Sequence, residues 1–283
     1  MREVGAVVVH HRHFPDVLDT VGDILESGVL PEHLVLVDNS EDAGLASDLR
    51  RLLPSAVRLV TVPNRGYGAA VNTGTRLLMD LGLRYALVAT HEVRFADGAL
   101  DRLSRTLVER PRAAAVGPIL RQGALDGPLW SAGGGFTRIL GLPRHYRQSL
   151  GGAHVVARDW LDGAAVMYRL DAYGAGMSEA FFMYVEELEF HVRLRAGGWE
   201  VLSVPGAVAS QTTNGTPAYY QARNLQMFYS RWAGWLRRTF SVPALIVRNV
   251  LSNLLRGNGI GPVRDAIRGW REARSTGSDW SAL

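Results

Sequence analysis

The chain has 283 residues, of which 47% are hydrophobic and 20% charged, so it is long enough for one large α/β domain or a domain with an appendage. It contains no cysteine, which excludes disulfide bonds and thiolate metal sites, and no run of about 18 apolar residues that would predict a membrane-spanning helix. The net charge of +4 is unevenly placed, because residues 223–274 carry ten arginines against only Asp265 and Glu272.

Strands and helices alternate through the first part of the chain. Apolar, β-branched runs predict strands at 4–9, 34–37, 57–62, 85–89 and 113–116. The segments between them, bounded by glycine or proline, predict helices at 15–27, 42–53, 68–81 and 97–109. Strands joined by helices in this way form a parallel sheet with right-handed crossovers, so we predict an α/β, Rossmann-like fold.

The pattern changes after Pro118. Glycines between Gly123 and Gly152 predict loops and a β-hairpin. The later predicted elements are a strand at 160–167, a helix at 186–196, a strand at 201–204 and, from Ala218 onward, helices interrupted at Pro243 and near 257–262. This organisation predicts an α/β domain over 1–216 and a helical C-terminal extension over 217–283.

Polar residues follow three of the predicted strands. Asp38 ends the second strand, Asn64 follows the third, and Thr90-His91-Glu92 follow the fourth. Ligands of parallel sheets bind at the carboxyl ends of the strands, so these residues should lie along one rim. Asp38 could accept a hydrogen bond there from a pyrimidine imide or a ribose hydroxyl, or it could cap the next helix.

The stretch from Asn64 to Gly74 combines a glycine-rich turn with the start of a helix. Gly66 and Gly68 allow the backbone to approach a ligand closely, and the free N–H groups of a helix N-terminus favour phosphate. Arg65 adds a positive charge. The spacing matches neither a Walker loop nor a dinucleotide fingerprint, and a plain helix start is the alternative.

Carboxylates at two further places are candidates for chemistry. Glu92 could hold a divalent cation that bridges two phosphates, with His91 as a second ligand, or it could be solvated. Glu186, Glu187 and Glu189 begin a helix. One of them could be a general base whose pKa is raised by the crowded carboxylates, or all three could favour the helix dipole.

Three histidines, His10, His11 and His13, cluster at the end of the first strand. Adjacent side chains on a strand point to opposite faces, which disfavours a shared metal ion. We therefore favour a loop that contacts a nucleotide ligand over a metal site.

Taken in order over residues 4–230, these stretches resemble family 2 inverting glycosyltransferases of the GT-A fold, particularly the rhamnosyltransferase-like members. The order of the stretches makes the set more specific than any one of them. The matching stretches are Val7-Val8-Val9, Val37 to Ser40, Asn64 to Gly68 with Ala70, Asn72 and Gly74, Trp160 to Ala164, Phe181 to Glu189 with Arg193 and Gly197, and Tyr220 with Arg223-Asn224.

The resemblance implies roles at the matching positions. The residues that would border a nucleotide-sugar donor are His10, Asp38, Asn64, Arg65, Gly66, Asn72 and His91, with Asp38 reading the base. Trp130, Asp162 and Gly163 would line the acceptor side. Glu187, with Glu186 beside it, would deprotonate an acceptor hydroxyl that displaces the nucleoside diphosphate and inverts the anomeric carbon.

The chain departs from the family pattern at three positions. Thr90-His91-Glu92 stand where the family usually carries an Asp-rich metal motif, and Glu187 stands in place of a catalytic Asp. Gln211 occupies the position of a usual His, and its amide is a poorer metal ligand. If a divalent metal, Mg²⁺ or Mn²⁺, is used, Glu92 and Gln211 are its expected ligands.

Three functions remain open at this point. The first is an inverting glycosyltransferase that uses a dTDP- or UDP-sugar donor and a glycan, a lipid-linked or a small-molecule acceptor. The second is a catalytically impaired glycosyltransferase-like subunit that positions a partner enzyme, and the third is a sugar-nucleotide nucleotidyltransferase. None of the three has a nucleic acid as its partner.

The Arg- and Trp-rich tail also has several interpretations. It could be a solvated helical surface, rest on an anionic membrane surface, form a homodimer interface or close over the site. Because the start of the chain lacks signal-peptide features, we expect a cytoplasmic protein, at the inner face of the membrane if the tail binds lipid.

Overall fold

The computed structural model describes residues 1–148, 154–212, 215–255 and 261–275. Its strands are β1 Val4–His10, β2 Leu34–Asp38, β3 Arg58–Thr61, β4 Tyr85–Thr90, β5 Arg94–Phe95, β6 Ala113–Gln122, β7 Leu129–Ser131, β8 Gly134–Phe136, β9 Pro143–His145, β10 Val156–Ala157, β11 Ala165–Arg169 and β12 Glu200–Gln211. Its helices are α1 Val17–Glu26, α2 Ala43–Leu52, α3 Tyr67–Asp80, α4 Ala99–Glu109, α5 Leu170–Tyr173, α6 Glu186–Ala196, α7 Ala218–Trp232, α8 Trp235–Leu255 and α9 Gly261–Ser275.

One large sheet organises the fold, with the strand order β10-β12-β6-β11-β4-β1-β2-β3. The neighbours from β4 to β3 are parallel, as are β6 and β12, whereas β11 runs antiparallel to both β4 and β6. The register sets His10 opposite Asp38 and Val9 opposite Thr90. The carboxyl ends of β1, β2 and β4 therefore meet at one rim, and the start of β11 joins them there.

The helices cover both faces of this sheet because its strands are apolar on both sides. The strands β1, β2 and β4 are buried along almost their whole length. Helix α3 lies close to the sheet at Gly74, where a Cβ atom would come within 2.4 Å of a methyl group of Val7. This close contact fixes the position of the α3 N-terminus relative to the rim.

The C-terminal helices pack against the segment around the start of α6 through a separate apolar cluster. Phe181, Val185 and Leu188, from the segment around the start of α6, pack in it with Leu225 of α7 and Leu245 of α8. This cluster therefore contains residues from both sides of the predicted boundary between 1–216 and 217–283. No helix in the described ranges is long and apolar enough to cross a membrane.

Two predicted elements differ from the structure. The strand predicted at 160–167 begins only at Ala165, because Asp162 Oδ1 accepts a hydrogen bond from the Ala164 N–H and turns the chain at Asp162-Gly163. The interruption predicted at Pro243 is wrong, since α8 continues through the proline with Val242 and Leu245 buried on either side of it.

Two predicted strands are longer in the structure, and two other predictions fall wholly or mostly on residues that the structure does not describe. The strands predicted at 113–116 and 201–204 extend to Gln122 and Gln211, and the predicted hairpin is formed by β8 and β9. Gly151 and Gly152, like most of the interruption predicted near 257–262, lie outside the described residues. The predicted α/β fold with a mostly parallel sheet and C-terminal helices is confirmed.

Candidate active site

The rim begins at a buried pair of side chains on neighbouring strands. His10 Nδ1 lies 2.9 Å from Asp38 Oδ1, and Ser40 donates from its N–H and its hydroxyl to the same carboxylate oxygen. Burial by itself would raise the pKa of Asp38, but the hydrogen bonds from His10 and Ser40 outweigh it and leave this pKa below its ordinary value. Asp38 therefore carries its negative charge at the rim across the neutral pH range.

Histidines from two elements extend this side of the rim. The ring of His91 stacks on that of His13 at 4.4 Å between centroids and meets His10 edge-on at 5.9 Å. Burial and the neighbouring histidines lower the pKa of His91 to about 4, so its ring is neutral. A neutral ring can accept or donate a hydrogen bond at Nε2, or stack, without carrying charge.

Several buried polar atoms at this rim lack a hydrogen-bond partner in the structure. They are His10 Nε2, Asn39 Oδ1, Thr90 Oγ1 and His91 Nε2. An unpaired buried polar atom costs about 1–3 kcal/mol, so most such atoms in proteins are satisfied. Four of them beside one another, at the carboxyl ends of β1, β2 and β4, are consistent with a polar ligand at this position.

The glycine-rich turn contributes a second wall. Asn64 Oδ1 accepts hydrogen bonds from Asn39 Nδ2 and from the Gly66 N–H, both at 3.2 Å. Gly66 has φ +99° and lies against Phe182, whose carbonyl oxygen accepts a hydrogen bond from the Tyr67 N–H at 2.9 Å. The turn thereby connects the β2 end of the rim to the segment that precedes α6.

Two residues that were predicted to border the nucleotide instead bond to other residues of the protein. Asn72 is buried and bonds to Met177 through both its Nδ2 and its Oδ1, with a further bond from the Tyr173 hydroxyl. Arg65 is largely exposed and pairs with Glu179 at 2.9 Å. A ligand contact at Asn72 would have to replace bonds that hold the 173–179 segment in place.

Glu92, the predicted metal ligand, is half-buried next to the histidines, with Oε2 3.6 Å from His91 Nε2. Burial raises its pKa, and the charge of Asp162 acts in the same direction. Within the described ranges, no group of three or more His, Cys, Asp or Glu residues could hold a metal ion. The residues therefore do not build a cation cage of their own, although Mg²⁺ is often held by one or two carboxylates together with substrate phosphates.

The predicted acceptor residues meet at the start of β11. Asp162 Oδ2 accepts a hydrogen bond from Trp130 Nε1 at 3.0 Å and lies 3.5 Å from Gln211 Nε2. His145 Nδ1 is 3.8 Å from the same oxygen, and its ring packs against Trp130 with centroids 5.1 Å apart. Gln211 thus contacts the acceptor-side carboxylate, and two aromatic rings form a wall beside it.

Glu187 faces this acceptor side from the first turn of α6. A Cβ atom at Gly163 would lie 3.1 Å from Glu187 Cγ, so the carboxylate arm passes directly over that glycine. The Tyr67 hydroxyl donates to the Gly163 carbonyl at 2.7 Å and so holds the backbone just before β11. Burial raises the pKa of Glu187 to about 7, with a further contribution from the charge of Asp162.

Glu186 differs from its neighbour, although both begin the same helix. Its side chain is buried, and its Oε2 has no hydrogen-bond partner in the structure. Burial, followed by the charge of Glu187, raises its pKa well above the ordinary value. Both carboxyl groups thus hold their protons more tightly than an exposed glutamate does, and Glu187 is the one whose pKa lies near 7.

The backbone that leads into α6 is strained. Tyr184 and Val185 both have positive φ values, 70° and 76°, in a region that non-glycine residues rarely adopt. The Asn224 amide of α7 donates to the carbonyls of Met183 and Tyr184, both at 2.8 Å. Such strain persists only where surrounding contacts hold it, and it concentrates at functional sites.

Neighbouring contacts join these parts into one continuous rim. The Thr90 N–H donates to the Ala164 carbonyl at 3.0 Å, which connects the end of β4 to Asp162-Gly163. Tyr67 connects the glycine-rich turn to Gly163, and Glu187 lies on the same glycine. The structure therefore brings together the predicted donor-side, acceptor-side and base residues, apart from Asn72 and Arg65.

His145 is the residue at this site that sequence reasoning did not identify. It lies in the hairpin strand β9, in a region where the sequence shows only glycine-rich loops, and it reaches Asp162 through the fold. Tyr67 and Asn224 lie within matching stretches, but their hydrogen bonds to Gly163 and to the 183–184 carbonyls are visible only in three dimensions.

Curated proteins that are similar to this chain are glycosyltransferases. No protein-family model matches the chain. Among curated proteins, it is similar to the N-acetylglucosaminyl-diphospho-decaprenol L-rhamnosyltransferases of two Mycobacterium tuberculosis strains, CDC 1551 / Oshkosh and ATCC 25618 / H37Rv. In both cases the identity is 29%, and the match covers 73% of this chain and 78% of the relative.

Solved structures show the same fold. A crystal structure of GalNAc-T7 with UDP, GalNAc and Mn²⁺ matches with a TM-score of 0.63 and 14% identity, over 81% of this chain but only 48% of that one. The mannosyltransferase PcManGT from Pyrobaculum calidifontis, in complex with GDP-Man and Mn²⁺, matches with a TM-score of 0.57 and 16% identity, over 98% of this chain and 77% of that one. The resemblance to rhamnosyltransferase-like glycosyltransferases of the GT-A fold is confirmed, and so is the prediction of an enzyme that transfers a sugar.

Proposed function

We propose that this chain is an inverting glycosyltransferase that moves a deoxyhexose from a dTDP- or UDP-sugar to a hydroxyl group of an acceptor. The observation that carries the proposal is Glu187, a half-buried carboxylate with a pKa of about 7, placed over Gly163 beside Asp162. A base with a pKa near the working pH is best suited to accept a proton in the transition state.

The proposed reaction is a single displacement. Glu187 accepts the proton of the acceptor hydroxyl as its oxygen forms a bond to the anomeric carbon. The bond between that carbon and the diphosphate oxygen breaks on the opposite face, and the nucleoside diphosphate leaves with the electron pair. One displacement inverts the anomeric configuration.

The donor side of the rim suits a nucleotide. The negative charge of Asp38 can accept hydrogen bonds from a base or a ribose, and the unpaired atoms of His10, Asn39 and Thr90 lie beside it. The start of α3 does not add free N–H groups at Gly66 and Tyr67, because these donate to Asn64 Oδ1 and to the Phe182 carbonyl. The charge of Asp38 and the unpaired atoms support a nucleoside diphosphate with its sugar directed toward Gly163.

The proposed acceptor is a sugar carried on a lipid diphosphate. The curated relatives act, by their names, on N-acetylglucosaminyl-diphospho-decaprenol. In this chain Trp130 and His145 form an aromatic wall beside Asp162, and aromatic faces commonly pack on sugar rings. Asp162 and Gln211 can then orient the acceptor hydroxyl toward Glu187.

Replacing Glu187 by Gln tests the base. We expect the rate of transfer to fall by about 10²–10⁴-fold, while the affinity for the nucleotide, measured by calorimetry, changes little. Glu109→Gln, at an exposed position of α4, controls for the loss of one charge. Unchanged turnover in Glu187→Gln would remove this residue from the mechanism, and an NMR spectrum of the product showing retained configuration would exclude the single displacement.

The same assay decides between the leading function and the impaired subunit. The departures from the family pattern at residues 90–92 and at Glu187 motivate the second function. In it, the chain binds a nucleotide but only positions a partner enzyme. Nucleotide binding without turnover on any of a panel of UDP-, dTDP- and GDP-sugars, with a lipid-linked acceptor present, would favour the subunit.

We also propose that a divalent cation, when used, is held by Glu92 and the diphosphate together. Glu92→Gln should then weaken nucleotide binding in the presence of Mn²⁺ by about tenfold and leave binding in EDTA unchanged. Calorimetric titration of UDP and dTDP under both conditions measures this difference. Equal losses with and without Mn²⁺ would assign Glu92 a structural role.

A further inference from the structure

Helix α8 carries an apolar face that the described residues leave exposed. Leu236, Phe240, Val247 and Leu251 are each more than half exposed. Their separations of four, seven and four residues place all four within about 60° of arc around a helix of 3.6 residues per turn. Trp235 is exposed at the helix start. We call these five residues the α8 face.

The opposite side of the same helix is packed. Val242, Leu245 and Ile246 are buried in the apolar cluster that α8 shares with α7. The helix therefore has one stripe buried in the protein and a second stripe directed outward, which is more apolar surface than its own fold uses. An exposed apolar stripe of this length marks an interaction site.

A neighbouring loop extends this surface. Arg237 donates to the carbonyls of Arg138 and Ile139, at 2.8 and 3.1 Å, and so holds the 138–139 turn beside the start of α8. Ile139 is 83% exposed, the highest value among the exposed large hydrophobic residues that the structure describes. The turn adds an apolar tip and the exposed Arg138 to the α8 face.

The charges along α8 itself are of one sign. Arg237 and Arg248 are exposed beside the α8 face, at about 100° and 120° from Leu236 around the helix, whereas Arg238, at about 200°, lies on the far side. The sequence has no Asp or Glu between Glu200 and Asp265, while seven arginines lie in that interval. A second copy of the chain, related by a two-fold axis, would bring these arginines against one another, so the charges disfavour a symmetric dimer through this face.

We propose that the α8 face binds the surface of an anionic lipid bilayer, with α8 lying in the plane of the interface. Apolar residues on one side, with Arg237 and Arg248 along one flank, are the pattern of helices that bind at bilayer surfaces. The apolar side chains would enter the boundary between headgroups and acyl chains, and the arginines would contact lipid phosphates.

The placement of this surface connects it to the acceptor side of the site. The Tyr229 hydroxyl of α7 donates to the Gly141 carbonyl in the β8–β9 hairpin, and β9 ends at His145 beside Asp162. A bilayer bound at the α8 face would thus lie against the hairpin that carries an acceptor-side residue. This link rests on the proposed function, whereas bilayer binding itself does not depend on sugar transfer.

Vesicle co-sedimentation of the full chain tests the proposal. We expect binding to phosphatidylcholine vesicles that contain phosphatidylglycerol, and weak binding to vesicles of phosphatidylcholine alone. The triple variant Phe240→Gln, Val247→Gln, Leu251→Gln should lower the partition coefficient by about tenfold or more. Arg138→Gln with Arg248→Gln should reduce the preference for phosphatidylglycerol.

A matched control removes the same amount of exposed apolar surface elsewhere. Leu52→Gln, Leu81→Gln and Val108→Gln change residues of similar exposure that lie outside α8, and this variant should bind vesicles like the parent chain. Circular dichroism and melting temperature confirm that each variant is folded. Equal vesicle binding by the α8 variant and the parent chain would overturn the proposal.

Two further measurements separate the alternatives. A dimer in analytical ultracentrifugation that the α8 variant abolishes, without vesicle binding by the parent, would assign the face to a second copy and overturn the proposal. Transfer to a water-soluble acceptor should be unchanged in the α8 variant, while transfer to a lipid-linked acceptor in vesicles should fall. Vesicle binding without any transfer would contradict the proposed function and leave the bilayer surface supported.

Discussion

Two adjacent glutamates at the start of α6 have different surroundings, although burial raises the pKa of both. Glu186 is buried with an unpaired oxygen, and Glu187 is half-buried over Gly163. Both pKa values are raised, chiefly by burial, which means that the folded protein holds these protons more tightly than the unfolded chain. The stability contributed by this proton binding is complete below the unfolded pKa of about 4.5 and is lost as the pH rises through the folded pKa.

The raised pKa of Glu187 leads to a prediction for the stability of the Glu187→Gln variant. Because Gln cannot ionise, the variant should be more stable than the parent chain above pH 7, by on the order of 1–3 kcal/mol, and should differ little at pH 4.5. Melting temperatures at a series of pH values measure the difference. Glu109→Gln is the control, and a gain for Glu187→Gln that is equal at pH 4.5 and pH 8 would contradict the raised pKa.

At the scale of single elements, the glycine-rich turn shows how one conformation positions two parts of the site. Gly66 adopts φ +99°, and its α-carbon lies so close to Phe182 that a Cβ atom would be 2.1 Å from the carbonyl oxygen. The adjacent Tyr67 bonds to that same carbonyl and, through its hydroxyl, to Gly163. The turn therefore positions both the segment that leads into α6 and the start of β11.

We expect Gly66→Ala to destabilise the protein by about 3 kcal/mol or more, because it adds backbone strain and a clash with main-chain atoms that cannot move aside. Gly82→Ala is a matched control, since Gly82 also has a positive φ, +74°, but no atom lies within 4 Å of its Cβ position. That variant should lose only about 1–2 kcal/mol. Urea unfolding measures both, and equal losses would show that the contact with Phe182 is unimportant.

At the scale of the whole molecule, the C-terminal helices complete the core beside the site. Phe181, Val185 and Leu188 lie in one apolar cluster with residues of α7, α8 and α9. Asn224 holds the strained 183–185 backbone from α7. The predicted extension over 217–283 thus supports the backbone that leads into α6, in addition to forming the proposed bilayer surface.

A chain that ends at residue 216 should therefore lose its stable fold. Removing α7 to α9 exposes Phe181, Val185 and Leu188 to water and leaves the 183–185 backbone without the bonds from Asn224. Melting temperature and solubility measure the effect, and a chain that ends at residue 275 serves as the control. A soluble fragment of residues 1–216 that binds nucleotide as the full chain does would contradict this prediction.

The sequence by itself determined the alternating strands and helices, the rim of Asp38, Asn64 and Glu92, and the acidic start of α6, because periodicity and chain order are local properties. Tertiary structure alone decided that Asn72 bonds to the 173–179 segment, that His145 reaches Asp162, and that α8 continues through Pro243. It also distinguished Glu187 from Glu186, since the two have the same side chain and adjacent positions. Burial and contacts between distant segments control pKa values and exposed surface, and these arise only when the chain is folded.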